Sequence, residues 1–373
     1  MLLEAIELRR IALRMKTPFR TSFGIQQDRD VLLVKTITSS GEGWGECVAM
    51  SAPHYSSEYI DGAQEVIKRF LAPPLFEPAA ITAAHVEPLL AGIKGHRMAK
   101  AAVEMAILDA ELRSLGQSFA AALGGVQDMV DTGVSVGIHD DIGELLDTVD
   151  GYVDQGYIRI KLKIEPGNDI EHVRAVREKF GPDLPLQVDA NTAYRLSDAR
   201  HLARLDEYGL LLIEQPLPEE EVRAHAELAR QVKTPICLDE SITSVQAAAD
   251  AIAIGACSIV NIKAGRVGGY LEAKRIHDLC LGHGIPVWCG GMLETGIGRA
   301  ANVALASLPN FTLPGDTSAS DRYWERDITE PFVLERGRVR VPTGPGLGVE
   351  PVPEFLEEVT TSVETITRTT AAT

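Results

Sequence analysis

From about residue 130 onward the chain alternates short apolar stretches with amphipathic ones, and this alternation restricts the fold more than any other feature. The apolar stretches are rich in Val, Ile and Leu, and the intervals between them show helical periodicity. Strands and helices that alternate at this spacing form right-handed βαβ units around a parallel sheet. Seven stretches are clear and an eighth is weaker: DTGVSVGI, YIRIKLKI, LPLQVDA, LLLIEQP, PICLDE, CSIVNIKAG, IPVWCGG and the weaker FTLPGD.

The number of units selects between two α/β architectures. About eight units is the number that closes a (β/α) barrel. A doubly wound open sheet is the alternative, but no G-x-G-x-x-G motif follows the first strand of the series. We therefore predict a (β/α) barrel.

Five successive units place an ionisable residue at the carboxyl end of the strand. Lys163, Asp189, Glu214, Asp239 and Lys263 follow one another at intervals of 24 to 26 residues, which is one βα unit each. A single charged residue at a strand end is often a helix cap, but five in register are not explained by capping. In a barrel these positions converge on the carboxyl-terminal mouth, where active sites are built.

The three carboxylates in this series predict a metal site. Asp189, Glu214 and Asp239 would repel one another at a common mouth unless a cation lies among them. Oxygen donors without Cys or His indicate a hard ion, Mg²⁺ or Mn²⁺, rather than Zn²⁺. We therefore expect these three residues to be metal ligands.

The two lysines of the series predict proton transfer. Lys163 belongs to the second strand and Lys263 to the sixth, so in an eight-stranded ring they face each other across the mouth. A substrate carboxylate on the metal would hold its α-carbon between the two amines. A lysine is a base only when its pKa falls to about 7–8, and nearby positive charge acts in that direction. We expect Lys161 to tune Lys163 in this way and to help hold the substrate carboxylate.

The first part of the chain predicts an antiparallel region with helices. Strand-like stretches cover about 2–15, 31–38 and 43–50. The clearest helical pattern runs from 97 to 115, and Gly116 marks its end. This part is expected to form an α+β capping domain beside the barrel.

The last part of the chain is expected to return to that capping domain. Residues 331–342, PFVLERGRVRVP, predict a hairpin that joins the N-terminal sheet, whereas 360–373 show little core-forming pattern and are expected to fray. We therefore divide the chain into a capping domain (1–125), a barrel domain (126–319) and a C-terminal return (320–373).

Charge and composition narrow the class of function. The chain has 53 Asp and Glu residues against 36 Lys and Arg, and this excess of negative charge argues against binding to nucleic acid or to anionic membranes. Glu4 and Glu7 interrupt the apolar run that a signal peptide needs, and no apolar run approaches a membrane span. Five cysteines without a C-x-x-C pair predict free thiols. We expect a cytoplasmic enzyme that acts on a small carboxylate.

The strand ends also carry a family resemblance. VDAN, IEQP, LDES and NIKAGRVGG, with the K-x-K motif of Lys161 and Lys163, resemble the ligand and base motifs of the enolase superfamily in its muconate-lactonizing subgroup. The likeness covers essentially the whole chain. Within the subgroup the chain is most similar to o-succinylbenzoate synthases that also racemise N-acylamino acids. Four segments carry this closer likeness: PFRTSFG, GEGWGE, KGHRMAKAAVEMA and PVWCGGMLETGIGRAAN.

The resemblance implies a Mg²⁺- or Mn²⁺-dependent enzyme that removes the proton α to a carboxylate. It implies Asp189, Glu214 and Asp239 as metal ligands and Lys163 and Lys263 as the acid/base pair. In the synthase reaction, a dehydration in the menaquinone pathway, Lys163 removes the α-proton while Lys263 stays cationic beside the enediolate. In racemisation the two lysines exchange protons on opposite faces. Relatives form symmetric assemblies, so we expect a homo-oligomer.

Candidate substrate contacts come from strand ends and from the capping region. Gly291 follows the seventh strand and would let a ligand approach the backbone, and the aromatic residues of the capping region either form an apolar lid or pack between domains. The sequence assigns no role to two arginines near the site: pairing with an unidentified carboxylate inside the barrel is one option for Arg159, and bracing a loop is one for Arg266. The predicted substrate contacts are Lys161, Ser135, Asn191, Gly291, Met292, Asp316, Phe23, Met50 and Tyr55.

Three alternatives remain for the function. Dipeptide epimerases resemble a pattern with Asp-x-Asp near the last strand that anchors a free ammonium, but here the two positions are Asp316 and Ser318, which favours an N-acyl or carbon substrate. Muconate cycloisomerase is less similar in its motifs. A non-catalytic, metal-stabilised scaffold would be expected to have lost a lysine or a carboxylate, and all five are present.

Overall fold

The chain begins with long strands and continues with strands and helices in alternation; the computed structural model describes residues 1–368. The strands are β1 (Leu3–Thr21), β2 (Gly24–Thr38), β3 (Gly41–Cys47), β4 (Met129–Asp131), β5 (Val134–Val136), β6 (Ile160–Lys163), β7 (Leu186–Asp189), β8 (Ile213–Glu214), β9 (Ile236–Leu238), β10 (Ile259–Ile262), β11 (Val287–Cys289), β12 (Arg338–Arg340) and β13 (Thr360–Thr367).

Helices lie between β3 and β4 and connect the later strands. They are α1 (Ile60–Val66), α2 (Ala72–Phe76), α3 (Val86–Leu90), α4 (Arg97–Leu115), α5 (Phe119–Leu123), α6 (Ile142–Asp154), α7 (Ile170–Phe180), α8 (Ala199–Leu202), α9 (Val222–Leu228), α10 (Val245–Ala253), α11 (Ala264–Val267), α12 (Tyr270–His283), α13 (Gly296–Ala306) and α14 (Pro353–Val359). Within residues 1–368, no helix has both the length and the apolarity to cross a membrane.

The barrel is a parallel sheet of seven strands, β5 to β11, hydrogen-bonded in chain order. The alternation of strand and helix along the sequence is thus confirmed. The eighth predicted strand, at 311–316, is not a strand: Phe311 pairs with Val287 and Gly315 with Thr132, each through a single parallel bridge. Pro314 lies in this segment and has no N–H to donate to a ladder. The segment therefore joins the two edges of the sheet with little ladder of its own.

The N-terminal sheet has four antiparallel strands in the order β13-β1-β2-β3. The three strands predicted in the first part of the chain are confirmed. β1 continues six residues beyond its predicted end at 15, because its last residues form a hairpin in which Thr21 pairs with Gly24. Helix α4 has the predicted bounds, and Gly116 ends it with φ 64°.

The C-terminal return differs from both expectations for it. The hairpin at 331–342 forms a turn at Glu335 and Arg338, but β12 pairs with β4 rather than with the N-terminal sheet. Fraying was wrong for 360–367, which form β13 against β1. Residues 369–373 lie outside the described residues. The domain boundaries after 125 and 319 stay predictions.

Helix α4 packs on β3 at backbone contact, and two glycines permit it. A Cβ on Gly43 would lie 2.2 Å from Ala106 O, and a Cβ on Gly45 would lie 2.1 Å from Ala102 O. Both distances are far below any real carbon–oxygen contact, so only glycine fits at these positions. The contact fixes the helix of the capping region against its sheet.

Carboxylates of the N-terminal region also bind the N-termini of two barrel helices. Glu46 accepts hydrogen bonds from Thr295 N at 3.0 Å and Gly298 N at 2.9 Å, at the start of α13. Glu104 accepts from Leu271 N at 3.0 Å, at the start of α12. These hydrogen bonds satisfy N–H groups that lack intrahelical partners, while burial raises the pKa of Glu46 to about 7 and that of Glu104 to about 8. These contacts fasten the capping region over the barrel.

We predict that Gly45→Ala destabilises the protein by about 1–3 kcal/mol, because the added methyl group forces α4 away from β3. Urea unfolding followed by circular dichroism measures the change. Gly151→Ala is the matched control: Gly151 lies in α6 with nothing within 4 Å of the added Cβ, so a gain of about 0.5–1 kcal/mol is expected. Equal stabilities for the two variants would contradict the close contact.

Candidate active site

The ends of five barrel strands bring the predicted series of ionisable residues together. Lys163 lies beside Asp189, and Asp189 beside Glu214, in the register of the parallel sheet. Asp239 and Lys263 directly follow β9 and β10. The three carboxylate residues are at most 1% exposed. A charge buried this deeply requires compensation, and the surrounding side chains provide it.

Lys161 is the central cation of the site. Its Nζ lies 3.1 Å from Asp189 Oδ2, 3.1 Å from Glu214 Oε2 and 2.7 Å from Asp316 Oδ2. Burial by itself would lower the pKa of Lys161, but the charges of the three carboxylates outweigh burial and raise this pKa above its ordinary value. Lys161 is therefore a permanent positive charge. It also lies over the Trp288 ring, 4.7 Å from the centroid.

The two predicted acid/base lysines have different surroundings. Lys163 Nζ donates to Asp189 Oδ2 and to Asn191 Oδ1, both at 2.6 Å. Burial lowers the pKa of Lys163, and the charge of Lys161 adds to that effect against the opposing charge of Asp189. The predicted direction of this pKa shift is thus found, although burial rather than the neighbouring lysine is its main cause.

Lys263 is held in its charged form. Its Nζ donates to Asp239 Oδ2 at 2.7 Å and to the Tyr55 hydroxyl at 3.0 Å, and it lies 4.6 Å from the centroid of the Tyr55 ring. Burial alone would lower the pKa of Lys263, but the interactions with Tyr55, Glu240 and Glu214 outweigh it and raise the pKa. The site therefore favours a proton on Lys263 and disfavours one on Lys163.

The predicted metal ligands have the right donor chemistry. Asp189, Glu214 and Asp239 offer only carboxylate oxygens, which suit a hard cation such as Mg²⁺ or Mn²⁺. In the described part of the chain, however, no three Asp, Glu, His or Cys side chains are grouped closely enough to hold an ion. An ammonium or guanidinium nitrogen lies against each carboxylate instead. A bound ion would take over that compensating charge, and the ligand set stays a prediction.

A cavity opens above these side chains, with an empty volume of about 740 Å³ that includes its opening to solvent. Lys163, Lys263 and all nine predicted substrate contacts line it. Their roles in binding stay predictions, but the structure places all of them around one cavity. Sequence reasoning missed His54 and Tyr323, which also line the cavity. Both lie in irregular segments, so no periodicity pointed to them.

The tip of the β1–β2 hairpin covers the cavity. Phe19, in β1, is 8% exposed, and the Phe23 ring contacts the Tyr55 ring with centroids 6.1 Å apart. Polar contacts hold the tip down: Ser22 Oγ donates to Asn191 O at 3.1 Å, and Arg20 pairs with two loops of the barrel through Asp140 and Glu165. Apolar side chains of the capping region thus lie at the mouth, and their function as a lid stays a prediction.

The partner of Arg159 is Asp316. Arg159 Nη2 lies 3.0 Å from Asp316 Oδ1 and donates to Pro314 O at 2.7 Å. Burial opposes ionisation of Asp316, but Lys161 and Arg159 together hold its pKa well below the usual range. Ser135 Oγ also donates to Asp316 Oδ2 at 3.2 Å. The carboxylate of Asp316 is therefore already neutralised by two cations.

Arg266 does more than brace a loop. It donates from Nε to Ile242 O at 2.8 Å and from Nη2 to Asn261 O at 2.7 Å, as a brace does. Its Nη1 also forms an ion pair with the Asp239 carboxylate, which the sequence did not predict. Arg266 thus helps to compensate the charge of a predicted metal ligand.

A layer of neutral groups behind Asp239 fixes the backbone there. Gln215 Oε1 accepts from Asp239 N at 3.0 Å and from Ser241 N at 3.2 Å. His225, fully buried, supports this layer: its Nδ1–H donates to Glu221 O at 3.0 Å, and its Nε2 accepts from Leu217 N at 3.2 Å. Both ring nitrogens are used by the neutral tautomer, and burial lowers the pKa of His225 to about 4.

We predict that the imidazole of His225 stays neutral down to about pH 5, whereas an unfolded chain would protonate it near pH 6.5. Because the unfolded state binds more protons in this window, His225 contributes stability that is lost as the pH falls from about 6.5 to 4, up to about 3 kcal/mol. A pH titration of the imidazole C–H signals by proton NMR measures the pKa of His225. A His225 midpoint near 6.5 would contradict the buried neutral tautomer.

Comparisons with known proteins agree on one group. The family model described as mandelate racemase/muconate lactonizing enzyme, N-terminal domain, matches residues 5–124, and the enolase C-terminal domain-like model matches 144–355. The chain is 68% identical over 362 residues to an N-succinylamino acid racemase of Amycolatopsis sp., covering 97% of this chain and 98% of that protein.

Two further relatives extend the comparison. An o-succinylbenzoate synthase of Geobacillus kaustophilus is 47% identical over 372 residues, which is 99% of both chains. A solved enolase-superfamily structure from Listeria innocua superposes with a TM-score of 0.95 at 41% identity, covering 99% of this chain and 100% of that one. Fold and sequence similarity thus extend over nearly the full length.

Proposed function

Because the chain belongs to the mandelate racemase/muconate-lactonizing group of the enolase superfamily, we propose that it removes the proton α to a carboxylate. In the manner of an N-succinylamino acid racemase a proton is then returned to the α-carbon, and in the manner of an o-succinylbenzoate synthase hydroxide leaves, so that water is lost in total. One observation carries the proposal. Lys163 and Lys263 belong to strands four positions apart in the sheet, and both line the same cavity. An α-carbon held between them can lose a proton to one and gain a proton from the other.

The difference in protonation between the lysines suits this exchange. A two-base reaction needs one neutral amine and one ammonium at the start. The shifts favour a neutral Lys163 and a charged Lys263, since the pKa of the first is lowered and that of the second raised. After one transfer across the substrate the roles reverse, so the same pair serves the opposite enantiomer.

Lys161 is placed to hold the substrate carboxylate. It lines the cavity, carries a permanent charge and lies beside two predicted metal ligands. Members of the superfamily typically depend on a divalent metal, and Asp189, Glu214 and Asp239 would hold it here. When bound, Mg²⁺ or Mn²⁺ stabilises the negative charge that develops on the substrate carboxylate as the α-proton leaves. The capping residues close the cavity and exclude water.

The cavity favours an anionic, acylated substrate. Three lysines line it, and the only carboxylate on its wall among residues 1–368, Asp316, is already paired with Arg159 and Lys161. A free ammonium would thus find no available anion on that wall, which disfavours a dipeptide. The names of the two relatives share a succinyl group, and we propose N-succinylamino acids and the precursor of o-succinylbenzoate as substrates. We also propose a cytoplasmic homo-oligomer.

We predict that Lys163→Ala and Lys263→Ala each lower N-succinylamino acid racemisation by about 100-fold or more, since each variant lacks one of two required proton carriers. Polarimetry with a single enantiomer measures the rate. Lys233→Ala, which removes an exposed lysine outside the cavity, is the matched control and should racemise at the wild-type rate. A Lys163 or Lys263 variant with near wild-type racemisation would rule out the two-base proposal.

We predict that Asp189→Asn weakens Mn²⁺ binding by about tenfold or more, because an amide is a poorer ligand for a hard cation than a carboxylate. Titration of the apoprotein followed by electron paramagnetic resonance measures the affinity directly, without reference to activity. Asp150→Asn, at an exposed site paired with Lys179, should leave the affinity unchanged. If Asp189→Asn also binds Mn²⁺ normally, Asp189 is not a ligand.

A further inference from the structure

Besides raising the pKa of Lys263, one buried carboxylate of the site contacts a residue that is hydrogen-bonded to Lys163. Glu240 follows Asp239 in the loop after β9 and is 7% exposed. Its Oε1 accepts a hydrogen bond from Asn191 Nδ2 at 2.9 Å, and in residues 1–368 its Oε2 has no hydrogen-bond partner. Burial of a carboxylate with so few partners is destabilising. Its presence is therefore better explained by what it does to Asn191 than by packing.

The Asn191 amide links Glu240 to Lys163. Lys163 Nζ donates to Asn191 Oδ1 at 2.6 Å on one side, and Asn191 Nδ2 donates to Glu240 Oε1 on the other. Because Glu240 Oε1 accepts from the NH₂ end of the amide, the oxygen end of the amide points away from Glu240. Glu240 thereby directs the Asn191 oxygen at the lysine nitrogen. If the Asn191 amide were rotated by 180°, its NH₂ group would face Lys163 Nζ, and the hydrogen bond that Lys163 donates would be lost.

The backbone of Asn191 is constrained as well. Its φ is 40°, in the left-handed region that a non-glycine residue seldom adopts, and its N–H donates to Asp189 Oδ1 at 3.0 Å. With the backbone fixed, the side chain can still rotate about χ1 and χ2, and rotation about χ2 exchanges its amide oxygen and nitrogen. Glu240 removes that freedom.

We propose that Glu240 is a positioning residue for Lys163, which acts through the Asn191 amide to hold the lysine amine on one face of the substrate α-carbon. The proposal rests on the racemase function proposed above. The hydrogen-bonded link reaches only one of the two bases, because Lys263 donates to Tyr55 and Asp239 and makes no hydrogen bond to Asn191 or Glu240 in the described structure. The charge of Glu240 also raises the pKa of Lys263, so the loss of Glu240 does not hinder Lys263 as a base. Loss of Glu240 should therefore affect the two faces of the substrate unequally.

The test measures exchange of the α-proton for deuterium from each enantiomer separately. Each enantiomer of an N-succinylamino acid is incubated with enzyme and Mg²⁺ in D₂O, and the α-proton signal is followed by NMR. Lys163→Ala and Lys263→Ala define which enantiomer each lysine deprotonates, because each variant retains exchange only from the enantiomer served by the other lysine. Circular dichroism melts confirm that each variant is folded.

For Glu240→Ala we expect the initial exchange from the Lys163 enantiomer to fall about 10- to 100-fold and that from the Lys263 enantiomer to fall by less than about threefold. Glu240→Gln keeps an oxygen that can accept from Asn191 Nδ2, so it should retain most of the wild-type exchange from the Lys163 enantiomer. Equal losses at both enantiomers, or Glu240→Gln as impaired as Glu240→Ala, would overturn the proposal. Weaker Mn²⁺ binding with equal losses would place Glu240 with the metal instead.

A second variant covers the case in which Glu240→Ala does not fold. Asn191→Leu breaks the same link from its other side, and it should show the same bias against the Lys163 enantiomer. No bias in Asn191→Leu would also overturn the proposal. A wild-type enzyme that exchanges neither enantiomer would instead remove the racemase function itself, and that result is seen before any variant is compared.

Discussion

The mouth of this barrel depends on opposite charges that are buried together in balanced number. A lone buried charge is strongly destabilising, and a buried pair holds only while both partners are present. Lys161 compensates three of the buried carboxylates, since it forms ion pairs with carboxylates on two strands and on the irregular segment at 311–316. The buried groups are the acids Asp189, Glu214, Asp239, Glu240 and Asp316 and the bases Arg159, Lys161, Lys163, Lys263 and Arg266.

The capping region is positioned by polar contacts as much as by apolar packing. Glu46 and Glu104 bind the N-termini of barrel helices, and Arg20 joins the hairpin tip to two barrel loops. These contacts set where Phe23 and Tyr55 lie over the cavity. Tyr55 links the two parts most directly, because its hydroxyl contacts both Lys263 and Asp239. Closure of the cap and charge compensation at the mouth are therefore coupled.

Some of this arrangement could be predicted from the sequence, and the reasons are physical. The spacing of Asp189, Glu214 and Asp239 is regular because each βα unit has nearly the same length, and parallel register brings strand ends to one level. The pairing of Arg159 with Asp316 had no such signal, since Asp316 lies outside this series of regularly spaced residues. Strand β13 was missed because it is an edge strand with mostly exposed side chains, in which only Ile366 is buried. The sequence of β13 therefore lacks the alternation of apolar and polar residues that predicts a strand packed on a core.

The irregular segment at 311–316 has a consequence for how such a barrel can change. Its backbone is held by single bridges, while Asp316 on it forms part of the cavity wall. Substitutions there alter the wall without breaking a run of ladder hydrogen bonds, whereas the lysines proposed to transfer protons lie on or next to regular strands. Substitutions that change substrate preference can thus accumulate in this segment of the barrel, while the residues proposed for proton transfer stay unchanged on or next to the regular strands.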